Sequence, residues 1–166
     1  PSQLKSRDYN FDLLKDCNND VQELTNLISA SIPIEAHIIR IHVGGDFYSQ
    51  PYFDAWLNVA MLNRNLHFYA YTKSLPFWVN RLDSIKLGEF PNMELIASRG
   101  GTKDKLINVY GLREAIVVDT EQEAMDKGLE IDYTDYLSCY GKESFALLIH
   151  GVQPKRINKI RKEVLT

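Results

Sequence analysis

The chain has 166 residues, 45% of them hydrophobic, enough for one globular domain with a real core. Its net charge is −3, from 19 basic and 22 acidic side chains, which argues against coating nucleic acid by bulk charge. Cys17 and Cys139 stand far apart with no CxxC or CxxxCxxC spacing, so a disulfide framework and a cysteine metal site are both disfavoured, and a reducing, cytoplasmic compartment is expected. No apolar run approaches the ~20 residues of a membrane span, and no signal-peptide pattern opens the chain. The chain starts at Pro1 without methionine, and it reads as a single α/β domain over 1–166, either whole or the C-terminal part of a longer protein.

Residues 1–8 are polar and read as extended, with Asn10 as a cap. In 11–30 the apolar residues Leu13, Leu14, Val21, Leu24, Leu27 and Ile28 recur at helical spacing. The poor helix formers Cys17-Asn18-Asn19-Asp20 suggest a break into two helices, and Pro33 ends the second. Residues 37–43 form the first expected strand, closed by Gly44-Gly45. Pro51 opens a helix. Strands follow at 66–72, 93–97, 115–118 and 144–149, with helices expected at 75–85, 103–110 and 121–127. Residues 129–141 are less regular and rich in tyrosine, and the tail from Lys155 is basic. Alternating βα units with short apolar strands predict a mostly parallel sheet of about five strands covered by helices, as an open sheet or part of a barrel.

In such folds the site lies at the C-terminal strand ends. Those ends carry Gly44, Gly45, Asp46, Tyr48, then Lys73, Ser98 with Arg99, Asp119, and His150. Arg40 and His42 stand two apart and are expected on one strand face, His42 nearer the rim. His37 and His67 open strands at the opposite end and read as structural. Residues 98–103, Ser-Arg-Gly-Gly-Thr-Lys, could cradle an anion through backbone N–H groups and flanking charge. Asp46 with His42 or His150 could form an acid–base pair. No cluster has zinc spacing. These residues point to a small-molecule site without deciding whether the protein is an enzyme.

RIHVGGDFYSQPYFDAW, FYAYTKS, ASRGG and ALLIHGVQP together resemble the phage gene product 88 family, over about residues 1–154. Through that family the chain resembles radical S-adenosylmethionine enzymes. The resemblance implies a partial (β/α) barrel lacking its first strand, with Gly44-Gly45-Asp46 in the place of a Gly-Gly-acid motif that contacts the S-adenosylmethionine amino group. It implies an adenosyl or nucleotide-like ligand at the strand C-termini, bound by His42, Gly44, Gly45, Asp46, Tyr48, Lys73, Ser98, Arg99 and His150. This chain has no three-cysteine motif. S-adenosylmethionine and a [4Fe–4S] cluster are therefore expected only if a CxxxCxxC segment lies upstream. A barrel short of one strand would expose sheet edges, which a second copy could cover, and the alternative is a non-catalytic binding protein that engages a host or virion protein through those edges in the host cytoplasm.

Overall fold

The computed structural model describes residues 3–149 of the chain. Two helices come first: α1 (Gln3–Asp16) and α2 (Val21–Ser31). Asp20 caps α2, its carboxylate accepting from the Glu23 N–H at 2.8 Å. The expected break at 17–20 is present, and Asn18 and Asn19 take left-handed backbone there. The extended reading of residues before Asn10 is corrected, because α1 already runs through Asn10. A polar first turn carries no apolar periodicity, so nothing in the local pattern announces this start.

Five strands follow: β1 (Ile38–Ile41), β2 (His67–Thr72), β3 (Met93–Ser98), β4 (Glu114–Val118) and β5 (Phe145–Leu148). They pair in chain order, β1-β2-β3-β4-β5, and every pairing is parallel. Stepping always in one direction curls the sheet into a half-barrel, with β1 and β5 as its edges. Between the strands lie α3 (Gln50–Leu62), α4 (Leu75–Val79), α5 (Leu82–Lys86), α6 (Lys105–Tyr110), α7 (Glu121–Asp126) and α8 (Tyr136–Tyr140). The single helix expected over 75–85 is two short ones. Ser74 stands at the N-cap of α4 but makes no side-chain cap bond, because its hydroxyl donates instead to the Phe47 carbonyl at 2.6 Å. Within the irregular stretch 129–141, α8 forms a short cap over the concave face, and Ile131 bridges to Ala146.

Side chains alternate across the strands, so the sheet has two faces. On the convex face, Ile41, Phe68, Ala70, Leu95 and Ala97 pack against α2, α3 and α4 through Leu24, Phe53, Leu57, Leu75 and Trp78. A smaller apolar cluster, Val118, Ala124 and Ala146, seats α7 behind β4 and β5. Buried Asn92 ties the two layers together, its amide donating to the carbonyls of Ala60, Asn63 and Leu66 at 3.0, 3.0 and 2.9 Å. The concave face holds Tyr69, Ile96, Ala115 and Phe145, with Cys139 of α8 against them. Among the described residues no helix is long and apolar enough to cross a membrane. The basic tail from Lys155 lies outside the described residues.

Candidate functional site

The end of β1 decides where the polar groups go. His42 takes a left-handed backbone, φ +60°, which interrupts the alternation of the strand. Arg40 and His42 therefore part company, against the expectation that they share a face. Arg40 lies over the concave rings of Tyr71 and Tyr69. The His42 ring turns to the convex side, where Phe47, Tyr52 and Trp56 enclose it at centroid distances of 4.8, 5.6 and 6.4 Å. His42 Nε2 meets the Tyr52 hydroxyl at 3.0 Å, while Nδ1 is buried with no partner among the described residues. Burial pushes the imidazole pKa down, and the nearby negative Asp46 only partly offsets this. The ring is consequently neutral at pH 7, with one nitrogen able to accept or donate.

Gly44, Gly45 and Asp46 form the turn that follows. Gly45 has φ +96°, a conformation that strongly favours glycine. Gly44 lets Arg7 of α1 approach, since a Cβ there would stand 2.7 Å from the guanidinium. The Asp46 carboxylate joins the ends of two strands. Its Oδ1 accepts from its neighbour's Phe47 N–H at 2.8 Å and from the Thr72 hydroxyl at 2.6 Å, and Oδ2 accepts from the Lys73 N–H at 2.7 Å. About four acceptor positions exist on a carboxylate, so one remains. None of these bonds goes to His42. Tyr48 stacks on Tyr52 at 4.6 Å and meets Phe11 of α1 edge-on at 5.4 Å.

Between α1, α2 and this turn lies a cavity of about 760 Å3. It collects five of the expected residues, His42, Gly44, Gly45, Asp46 and Tyr48, and adds Arg7, Phe11, Tyr52 and Trp56, which sequence reasoning missed. A usable signal existed for the rings: Phe11 and Leu14 share one helical face, as do Tyr52 and Trp56. Its volume and its mixture of aromatic walls with a few polar groups match small-molecule pockets.

The other expected residues lie elsewhere. Lys73 extends toward Gly100, its Nζ 3.3 Å from where a Cβ would sit. Arg99 is paired with Glu114, Nε to Oε2 at 2.6 Å, and donates to Asn108 at 3.0 Å; the Glu114 bond raises its pKa. The anion cradle expected at 98–103 is corrected: the N–H groups of Gly100 and Gly101 donate to the Asp104 carboxylate at 2.8 and 3.0 Å, so the chain's own anion fills it. Those bonds, Gly100's foremost, lower the Asp104 pKa. His150 lies outside the described residues. His67 bonds to the Cys139 carbonyl and packs on Tyr140 at 4.8 Å.

Ser98 belongs to a second cavity, of about 620 Å3, on the concave face, with Arg40, Tyr71, Thr134, Asp135 and Leu147. A polar network frames it. The hydroxyls of Tyr71 and Ser138 meet at 2.5 Å, and Asp132 accepts from Ser138 Oγ at 2.6 Å, from Ser138 N–H at 2.8 Å and from Thr134 N–H at 3.2 Å. Burial would raise the Asp132 pKa, yet these donors together bring it below the usual range. Tyr69 donates to Asp135 at 3.1 Å; burial first, then the Asp135 charge, pushes its hydroxyl up to about 12.

Cys17 sits in the convex core and Cys139 in the concave one. Among the described residues no group of three His, Cys, Asp or Glu side chains converges as metal ligands would. No solved structure matches the chain. A curated relative, the Gene 88 protein of Mycobacterium phage L5, is 25% identical over 150 residues, covering 82% of this chain and 53% of the relative. The chain thus spans about half the length of the curated relative it matches. A family model described as Gene product 88 matches residues 1–163. The chain therefore belongs to the gene product 88 family.

Proposed function

We propose that this protein binds an adenosyl or nucleotide-like molecule in the cavity after β1, on a half-barrel related to that of radical S-adenosylmethionine enzymes. The observation that carries the reading is the convergence of Gly44, Gly45 and Asp46 with an aromatic-walled cavity at the C-terminal end of a parallel strand. Tyr48, Tyr52, Trp56 and Phe11 offer ring faces and edges to a purine. The remaining acceptor position of Asp46 suits an amino group, and the unpartnered Nδ1 of His42 suits one further hydrogen bond. Arg7 adds a cation to the lining. S-adenosylmethionine fits this donor and acceptor set; an iron–sulfur cluster finds no ligand set among the described residues.

Calorimetric titration with S-adenosylmethionine and with adenosine tests the proposal. Both are expected to bind the unaltered protein more tightly than about 1 mM. Asp46→Ala should weaken S-adenosylmethionine by about tenfold or more and adenosine much less, since only the former offers the α-amino group of its methionyl end. Ser31→Phe, at an exposed position on the cavity wall, should block adenosine and the binding of S-adenosylmethionine tighter than about 1 mM, without disturbing the Asp46 bonds. Absence of heat with either ligand on the unaltered protein would remove the proposal.

A further inference from the structure

The concave cavity carries a charge arrangement that the site after β1 does not use. Arg40 lies across Tyr71 and Tyr69, its guanidinium carbon 5.2 and 6.0 Å from the ring centroids. Its side chain is 41% exposed, and among the described residues its one ion-pair partner is Asp135, at 3.8 Å. That distance is too long for a hydrogen bond, so the guanidinium fork stays open. Asp135 is 46% exposed, and its Oδ2 already accepts from Tyr69. Asp132 differs: its oxygens are taken by Ser138 and Thr134. The cavity thus offers an open bidentate donor beside a partly occupied carboxylate, with Ser98 and Leu147 also on its lining.

We infer that this cavity binds the zwitterionic end of an α-amino acid. The ligand carboxylate accepts from the Arg40 fork, and its ammonium group donates to Asp135. A planar guanidinium matches a carboxylate in two parallel bonds. A phosphate would face Asp135 and Asp132 as like charges, and an amine alone would face Arg40. A ligand with both charges satisfies both groups. It also displaces little, because an exposed ion pair at 3.8 Å is weak. Leu147 and the ring of Tyr71 give an aliphatic side chain an apolar contact.

Titration of the full chain with L-leucine tests this, with isocaproate, isoamylamine and inorganic phosphate as controls. L-leucine is expected to bind in the millimolar range, and isocaproate and isoamylamine about tenfold or more weaker. Phosphate should give no heat. Arg40→Met should abolish L-leucine binding while keeping the unfolding midpoint, and Asp135→Asn should weaken it about tenfold. Should Arg40→Met not fold, Ser98→Leu narrows the same cavity and carries the same expectation. Ser31→Phe, which blocks the other cavity, should leave L-leucine binding unchanged, so the two sites fail separately. Silence of L-leucine on the unaltered protein, unchanged binding by Arg40→Met, or equal binding of isocaproate or phosphate would each overturn the inference.

Discussion

The two faces of the sheet come from the same five strands but hold together by different means. On the convex face, Phe68, Ala70, Leu95 and Ala97 bury apolar surface against helices, and the gain scales with area removed from water, about 25 cal/mol per Å2. On the concave face, Asp132, Ser138 and Tyr71 are linked by directed bonds, Arg113 donates to the Ser138 carbonyl, and Glu94 faces Arg113 as an ion pair at 3.6 Å. Such a network adds little if complete and costs much if one partner is lost. The convex face therefore carries the larger apolar core, and the concave face adds to its smaller one a set of polar groups held in fixed places. The cavity after β1 lies at the edge, where the two regimes join: Asp46 is held by directed bonds, while His42 sits among packed rings.

Breaking the convex face should have the largest effect. Phe68 is fully buried, and Phe68→Ala should cost about 3–5 kcal/mol in urea unfolding. A loss under about 1 kcal/mol would mean that this face does not carry the fold. Next comes Arg113, whose side chain is 9% exposed, lies over the Phe145 ring, and donates to the carbonyls of Glu143, Ser138 and Leu137. Burial lowers its pKa, with Glu94 pulling the other way. Arg113→Met should cost about 2–3 kcal/mol, because carbonyls and Glu94 lose their partner; Lys142 still reaches Glu94 and limits the loss. Equal stability of the variant would show that α8 does not depend on these bonds.

Tyr71→Phe removes one hydroxyl from the network and should cost about 1 kcal/mol, read in the same unfolding series. The smallest effect sharpens the contrast at His42. Its pKa is lower in the folded protein than the ordinary 6.5, so the unfolded chain takes up the proton first as pH falls. The contribution is fully present above about pH 6.5 and is lost as pH falls from there through the folded pKa. Unfolding at pH 7.5 and in mildly acid buffer should show a larger loss for the unaltered protein than for His42→Gln. The same loss in both would mean that His42 is not held neutral by its surroundings.

Much of the architecture was legible from residue order. Short apolar strands alternating with helices announced a parallel sheet, and the strand ends were located to within a residue or two. The glycine turns at Gly45 and Gly111 stand where positive φ is required. The site was legible in part. Gly44, Gly45 and Asp46 could be named because a polar turn at the C-terminal end of a parallel strand faces the rim of such folds. Arg7 could not be assigned there, since only the packing of α1 brings it over Gly44.

The sequence by itself determined the elements, their order and the polar chemistry at the strand ends, because these depend on local periodicity and turn chemistry. The tertiary structure decided what those groups face. One left-handed residue, His42, sends its own ring and Arg40 to opposite faces, which alternation alone cannot foresee. Asp104 fills the Gly100-Gly101 turn, and Glu114 holds Arg99, because donors and acceptors pair with whatever the fold brings within reach. Arg40 keeps its fork open because Asp135, at the start of α8, stands 3.8 Å away, beyond a hydrogen bond.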